Sequence, residues 1–170
     1  MRILVVEDEA LIAMMLADDL ETAGHEVMGP VATTAAALTL CETTLPDLAL
    51  LDVNLAGGDN GVALACDLFA RWHLPVVFAS SQPVEVLQEA PAALGIIHKP
   101  YQTETVLRSV EAVRAVLDGR KPSDMPAGFK LFLPGAQPEL LTKPFGMADS
   151  TNARSHERAY IKFVHDCRSL

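Results

Sequence analysis

The chain has 170 residues, half of them hydrophobic, and a formal charge of −9. That length gives one ordinary domain with an appendage; no run of about 18 uninterrupted apolar residues is present to cross a membrane. The acidic balance argues against direct binding to duplex DNA, which needs a basic surface. The charge is uneven: residues 1–118 hold 5 Lys and Arg against 17 Asp and Glu, whereas residues 119–170 hold 8 against 5. Cys41, Cys66 and Cys167 are odd in number and lack metal-ligand spacing, so they read as reduced thiols. The start enters Glu7-Asp8-Glu9 too soon for a secretory leader, and a cytoplasmic protein is expected.

Residues 2–6 (RILVV) read as a short buried strand. Over residues 9–23, Leu11, Ile12, Met15, Leu16 and Leu20 are spaced for one buried helix face, with Gly24 as the stop. Residues 26–31 give a weak strand ending near Pro30. Thr33 or Thr34 caps a helix to about Thr43. Pro46 and Asp47 lead into the strand LALLD, and the glycine-rich NLAGGDNG follows, with Gly61 opening a helix to about Trp72, itself a packing residue. Pro75 precedes a strand over 76–79. A short helix over 83–90 lies between Pro83 and Pro91, a fifth strand spans 94–97, and Thr103 caps a last helix that reaches Leu117 and stops at Gly119.

Five strand–helix units in this rhythm imply a doubly wound parallel α/β sheet. Residues 119–170 break the rhythm and hold five of the eleven prolines. They are expected to be a Pro-rich C-terminal extension, partly disordered or docking, and the pattern allows a short helix within about 152–168.

Ligands of open α/β sheets bind outside the carboxyl ends of the strands. That edge would gather Glu7, Asp8, Asp52, Ser80 and Lys99. Singly, each has an ordinary reading: a solvated acidic turn, a strand-end cap, a residue in a tight loop. Together, so many like charges are costly unless a divalent cation and an anionic ligand occupy the site, which points to magnesium and phosphate chemistry. His25, His73 and His98 have no mutual spacing for a metal and read as surface or structural residues.

VVEDE at 5–9, LLDVN at 50–54, PVVFAS at 75–80 and HKPY at 98–101 resemble the receiver domain of two-component response regulators. The resemblance covers residues 1–118. It implies a flavodoxin-like fold with five parallel strands in the order 2-1-3-4-5, and Asp52 as phosphoryl acceptor. It further implies Mg2+ held by Asp8, Asp52 and the Asn54 backbone carbonyl, with Glu7 acting through water. Lys99 and Ser80 would bind phosphoryl oxygens; Ser81 is the alternative hydroxyl. The Lys99-Pro100 bond is often cis in the family. Ser81, Gln82 and Tyr101 flank the site as tuning positions. Implied partners are a histidine kinase or histidine phosphotransfer protein, and a downstream protein or dimer mate, with no direct DNA or membrane binding. Output would use the surface around the fourth and fifth helices and fifth strand.

Three departures qualify this. The loop after Asp52 lacks the usual Met-Pro pair and is expected to be more mobile. Ile96 stands where a switch aromatic is common. Phe78-Ala79-Ser80 resembles a subgroup with Phe-Ala-Thr on the fourth strand, often stand-alone regulators. Two other function classes stay open: a Mg2+-dependent phosphatase or phosphotransferase with an aspartyl-phosphate intermediate, disfavoured by Asn54 two residues after Asp52, and a phosphorylation-independent interaction module.

Overall fold

A computed structural model of the protein describes residues 1–83, 87, 93–118 and 120–132. Strands β1 (Arg2–Val6), β2 (Glu26–Val31), β3 (Leu48–Leu51), β4 (Val76–Ser80) and β5 (Ala93–His98) form a parallel sheet in the order β2-β1-β3-β4-β5. Helices α1 (Ala10–Thr22), α2 (Thr34–Thr43), α3 (Gly61–Trp72) and α4 (Thr103–Leu117) cover it. Strand alternation divides the core in two. Leu4, Val6, Leu51, Phe78 and Ile96 pack with Ala37 and Cys41 of α2 and with Leu64 and Leu68 of α3. Ile3, Val5, Leu50, Val77 and Ile97 pack with Leu16 and Leu20 of α1 and with Val106, Val110 and Val113 of α4. Burial on both faces explains why β1, β3 and β4 are continuous apolar runs.

The five parallel strands match the rhythm of the sequence, and their order is the one the resemblance implies. The sheet carries a sixth strand as well. β6 (Phe129–Leu131) runs antiparallel along β5, with Gly95 opposite Leu131 and Ile97 opposite Phe129. Part of the segment read as an extension therefore belongs to the sheet. Gly95 makes room for it: a Cβ there would come 2.6 Å from the Phe129 ring and 2.7 Å from the Lys130 carbonyl oxygen.

Helix α1 is rotated from its expected face. Ala13, Leu16 and Leu20 are buried, while Leu11, Met14 and Met15 are exposed. Buried Ala13 starts an i, i+3, i+7 stripe with Leu16 and Leu20, which leaves Leu11 and Met15 outside. Thr33 caps α2 by accepting from the Ala36 N–H, at 3.3 Å. Thr103 is the first helical residue of α4 rather than its cap; its hydroxyl donates to Asp19 of α1 at 2.6 Å. The expected helix at 83–90 and the tail beyond Phe132, including the expected helix at 152–168, lie outside the described residues, Leu87 and Pro83 excepted. Among the described residues no helix is long and apolar enough to cross a membrane.

Candidate functional site

Register fixes the site. Val6 lies beside Leu51, Leu51 beside Phe78, and Ser80 beside His98. The residues that follow β1, β3 and β5 thus emerge on one edge: Glu7 and Asp8, Asp52, and Lys99. The Glu7 N–H donates to the Val31 carbonyl and the Asp52 N–H to the Val6 carbonyl, both at 2.9 Å, which pins the acids at the ends of their strands.

Oxygens of Glu7, Asp8 and Asp52 lie within 4.8 Å of one another. Glu7 and Asp52 are buried and Asp8 is exposed. The Lys99 ammonium donates to Asp52 Oδ2 at 2.6 Å and to Glu7 Oε2 at 2.7 Å, with Glu9 at 4.0 Å. The Asn54 N–H donates to Asp52 Oδ1 at 3.2 Å and the Glu9 N–H to Glu7 Oε1 at 3.3 Å. Burial alone would lower the Lys99 pKa, but its hydrogen bonds to Asp52 and Glu7, with their charges, outweigh it and hold the ammonium above its usual range. Burial pushes the Glu7 carboxyl up, and Lys99 only partly offsets that.

Ser80 is fully buried at the end of β4, its hydroxyl oxygen accepting from the Gln82 N–H at 3.2 Å; adjacent Ser81 is exposed. The Lys99 N–H donates to the Ser80 carbonyl at 3.1 Å, so serine and lysine share one end of the sheet. The Lys99-Pro100 bond is cis. Tyr101 packs against the α1–α4 side of the core. Its buried hydroxyl has no hydrogen-bond partner among the described residues. Burial, opposed by Lys99 and helped by Glu7, Asp52 and Glu9, pushes its pKa up to about 12.

The loop after Asp52 is more tied down than its composition led us to expect. Asn54 forms a β-bridge with Asn60, Leu55 is buried, and the Ala56 N–H donates to the Ala32 carbonyl at 3.0 Å. Asp59 accepts from the Thr34 N–H at 2.8 Å, and Asn60 caps α3 by accepting from Val62 at 2.7 Å. These side-chain anchors replace whatever stiffness a proline would give. Gly61 matters most: a Cβ there would overlap the Asp52 carbonyl oxygen and lie 2.9 Å from its carbon. The glycine lets α3 start directly against the Asp52 backbone. Sequence reasoning took Gly61 only as a helix start and passed over Glu9, whose one signal was its place in the acidic turn.

Three carboxylates and one ammonium leave two negative charges unmatched, and carboxylate oxygens are the donors a hard divalent cation takes. The residues present fit Mg2+.

The chain is 38% identical over 106 residues to the phyllosphere-induced regulator PhyR of Methylorubrum extorquens, covering 61% of this chain and 40% of that protein. It is 32% identical over 114 residues to the transcriptional regulatory protein PdtaR of Mycobacterium tuberculosis, covering 65% of this chain and 55% of that one. The chain thus spans about half the length of these regulators or less. The solution structure of the PhyR receiver domain of Erythrobacter litoralis superposes with a TM-score of 0.60 at 31% identity, covering 66% of this chain and 88% of that domain. Residues 3–111 match the family model of the response regulator receiver domain, and the chain belongs to that family, the phosphoacceptor module of two-component signalling.

Proposed function

We propose that Asp52 is the phosphoryl acceptor and that a histidine kinase or a histidine phosphotransfer protein is the donor. The observation that carries this is the Asp52 carboxylate at the buried end of β3, with Glu7 and Asp8 within 4.8 Å and the Lys99 ammonium at 2.6 Å. A lone pair of an Asp52 carboxylate oxygen forms the new O–P bond. The bond from phosphorus to the donor imidazole nitrogen breaks, and that nitrogen keeps the electron pair. Asp8, Asp52 and the Asn54 carbonyl would hold Mg2+, with Glu7 acting through water. When bound, the ion supplies neutralisation of charge on the transferring oxygens. Lys99 exchanges a carboxylate partner for a phosphoryl oxygen, and Ser80 donates its hydroxyl to another. Ser81, Gln82 and Tyr101, beside the site, tune the survival of the phosphoryl group.

Exposed Leu11, Met14 and Met15 begin two residues beyond the acidic turn and offer an apolar landing surface for a protein donor. Residues 1–118 act as the receiver and pass the signal to a downstream protein or a dimer mate in the cytoplasm, without binding DNA and without turnover of external phosphate esters. The residues after 118 form a separate extension beyond the strand that they add to the sheet.

Incubation with Mg2+ and a small phosphodonor, followed by intact mass measurement, tests this. One phosphoryl group is expected on the wild-type chain, and none with Asp52→Asn or with a chelator. No added mass with any of several donors would overturn the proposal.

A further inference from the structure

The segment after α4 closes the β5 edge, and its contacts lead back to the lysine. Phe129 joins the core half formed with α1 and α4, and Phe132 the half formed with α2 and α3, so the two rings straddle the sheet edge. The Phe132 N–H donates to the Leu94 carbonyl at 2.8 Å, and the His98 N–H donates to the Gly128 carbonyl at 2.9 Å. His98 immediately precedes Lys99. Gly128 also faces α4: a Cβ there would come 3.7 Å from the Thr105 methyl. The hydrogen bond at His98 and the close approach to Thr105 therefore bracket Lys99, Pro100 and Tyr101. Nearer α4, attachment is lighter. Asp124 pairs with Arg108 on the surface, and a cleft of about 330 Å3 lies between α4 and residues 120–124. Exposed ion pairs of this kind hold weakly, so the three-residue strand and its two rings do most of the holding.

We propose that residues 120–132 are a strap whose docking on β5 is coupled to the state of Asp52, an inference that rests on the phosphoacceptor reading above. The strap is seated while Lys99 bridges Asp52 and Glu7, the arrangement in which its register with β5 is seen. A phosphoryl group draws Lys99 from those carboxylates, shifts the 99–101 segment between the two strap contacts, and loosens the strap. The β5 edge and the Phe129 and Phe132 rings then become available. Linkage requires the reverse as well: a loosened strap must favour the phosphorylated form.

Beryllium fluoride with Mg2+, a phosphoryl mimic for a carboxylate, allows an equilibrium test on the full chain. Hydrogen exchange of peptides spanning 94–98 and 128–132 is expected to quicken at least tenfold on saturation in wild type and to stay unchanged in Asp52→Asn. Phe129→Ser is expected to bind the mimic several-fold more tightly; Gly95→Ala, whose Cβ meets the Phe129 ring, serves as a second loosening variant. Saturation that depends on Asp52 but leaves strap exchange unchanged, or slows it, overturns the coupling alone. Failure of the mimic to bind at all overturns the phosphoacceptor reading and the coupling with it.

Discussion

Lys99→Met isolates the electrostatics of the site. The side chains of Glu7, Asp52 and Lys99 are 2%, 7% and 16% exposed, so little water replaces the lost ammonium. With oxygens of Glu7 and Asp52 within 4.8 Å, two unit charges at an effective dielectric of about 20 repel by about 3 kcal/mol. Protonating Glu7 sets a similar ceiling: from the ordinary value of 4.5, keeping a carboxyl neutral at pH 7 costs about 3 kcal/mol. Urea unfolding at pH 7 in a chelator should therefore show a loss of about 3 kcal/mol. The pH dependence has a definite sign. The folded variant holds the Glu7 proton at higher pH than the unfolded chain, so its deficit against wild type shrinks as pH falls from 7 toward 4.5. Saturating Mg2+ should also shrink it, because the cation replaces the missing positive charge and binds only the folded state. A loss below about 1 kcal/mol, or one indifferent to both pH and Mg2+, would refute the reasoning.

Gly61→Ala forces a methyl into the Asp52 carbonyl, and backbone on both sides leaves little room to yield; urea unfolding should show a loss of about 1–3 kcal/mol together with slower labelling of Asp52 by a small phosphodonor. Stability within ~0.5 kcal/mol of wild type would mean that the α3 start is not held against Asp52. Burial, helped by the N-terminal amine and Arg114 and opposed by Glu111, lowers the His25 pKa below its ordinary 6.5. The unfolded chain then takes up a proton below pH 6.5 that folded His25 refuses, and stability falls as pH drops through that value. The stability of wild type relative to His25→Gln should fall as pH goes from 7.5 to 5.5; a flat difference would contradict it. Leu11→Glu with Met15→Glu should change stability by less than about 0.5 kcal/mol and leave labelling by a small phosphodonor intact. Transfer from a protein donor should slow at least tenfold, and unchanged transfer would remove α1 as the landing surface.

The acidic edge was legible because it depends on chain order and strand ends alone. Once β1, β3 and β5 are parallel strands of one sheet, Glu7, Asp52 and Lys99 must emerge at the same end of it, whatever the details of packing. The α1 face was misread for the opposite reason. Leu11 and Met15 lie one turn apart and flank Ile12 and Leu16, but the buried stripe is Ala13, Leu16 and Leu20, and its first member, an alanine, adds almost nothing to an apolar pattern. The sixth strand was hidden in the same way. Phe129–Leu131 is too short for alternation and lies between Pro126 and Pro134. Its cue is on another strand, where Gly95 lacks the Cβ that would have met Phe129. Such cues are relations between distant residues, and no local pattern carries them.

The charge count explains why the acidic site holds together and why it can respond. Lys99 matches one of the three carboxylate charges, and Glu7 is pushed toward its neutral form by burial. A divalent cation would complete neutrality. Phosphorylation of Asp52 would then replace a single charge by roughly two, upset that balance again, and leave Lys99 as the cation with most to gain by moving. The residue that steadies the resting site is thus also the one best placed to report its modification, and it sits one peptide from His98, where β6 is fastened.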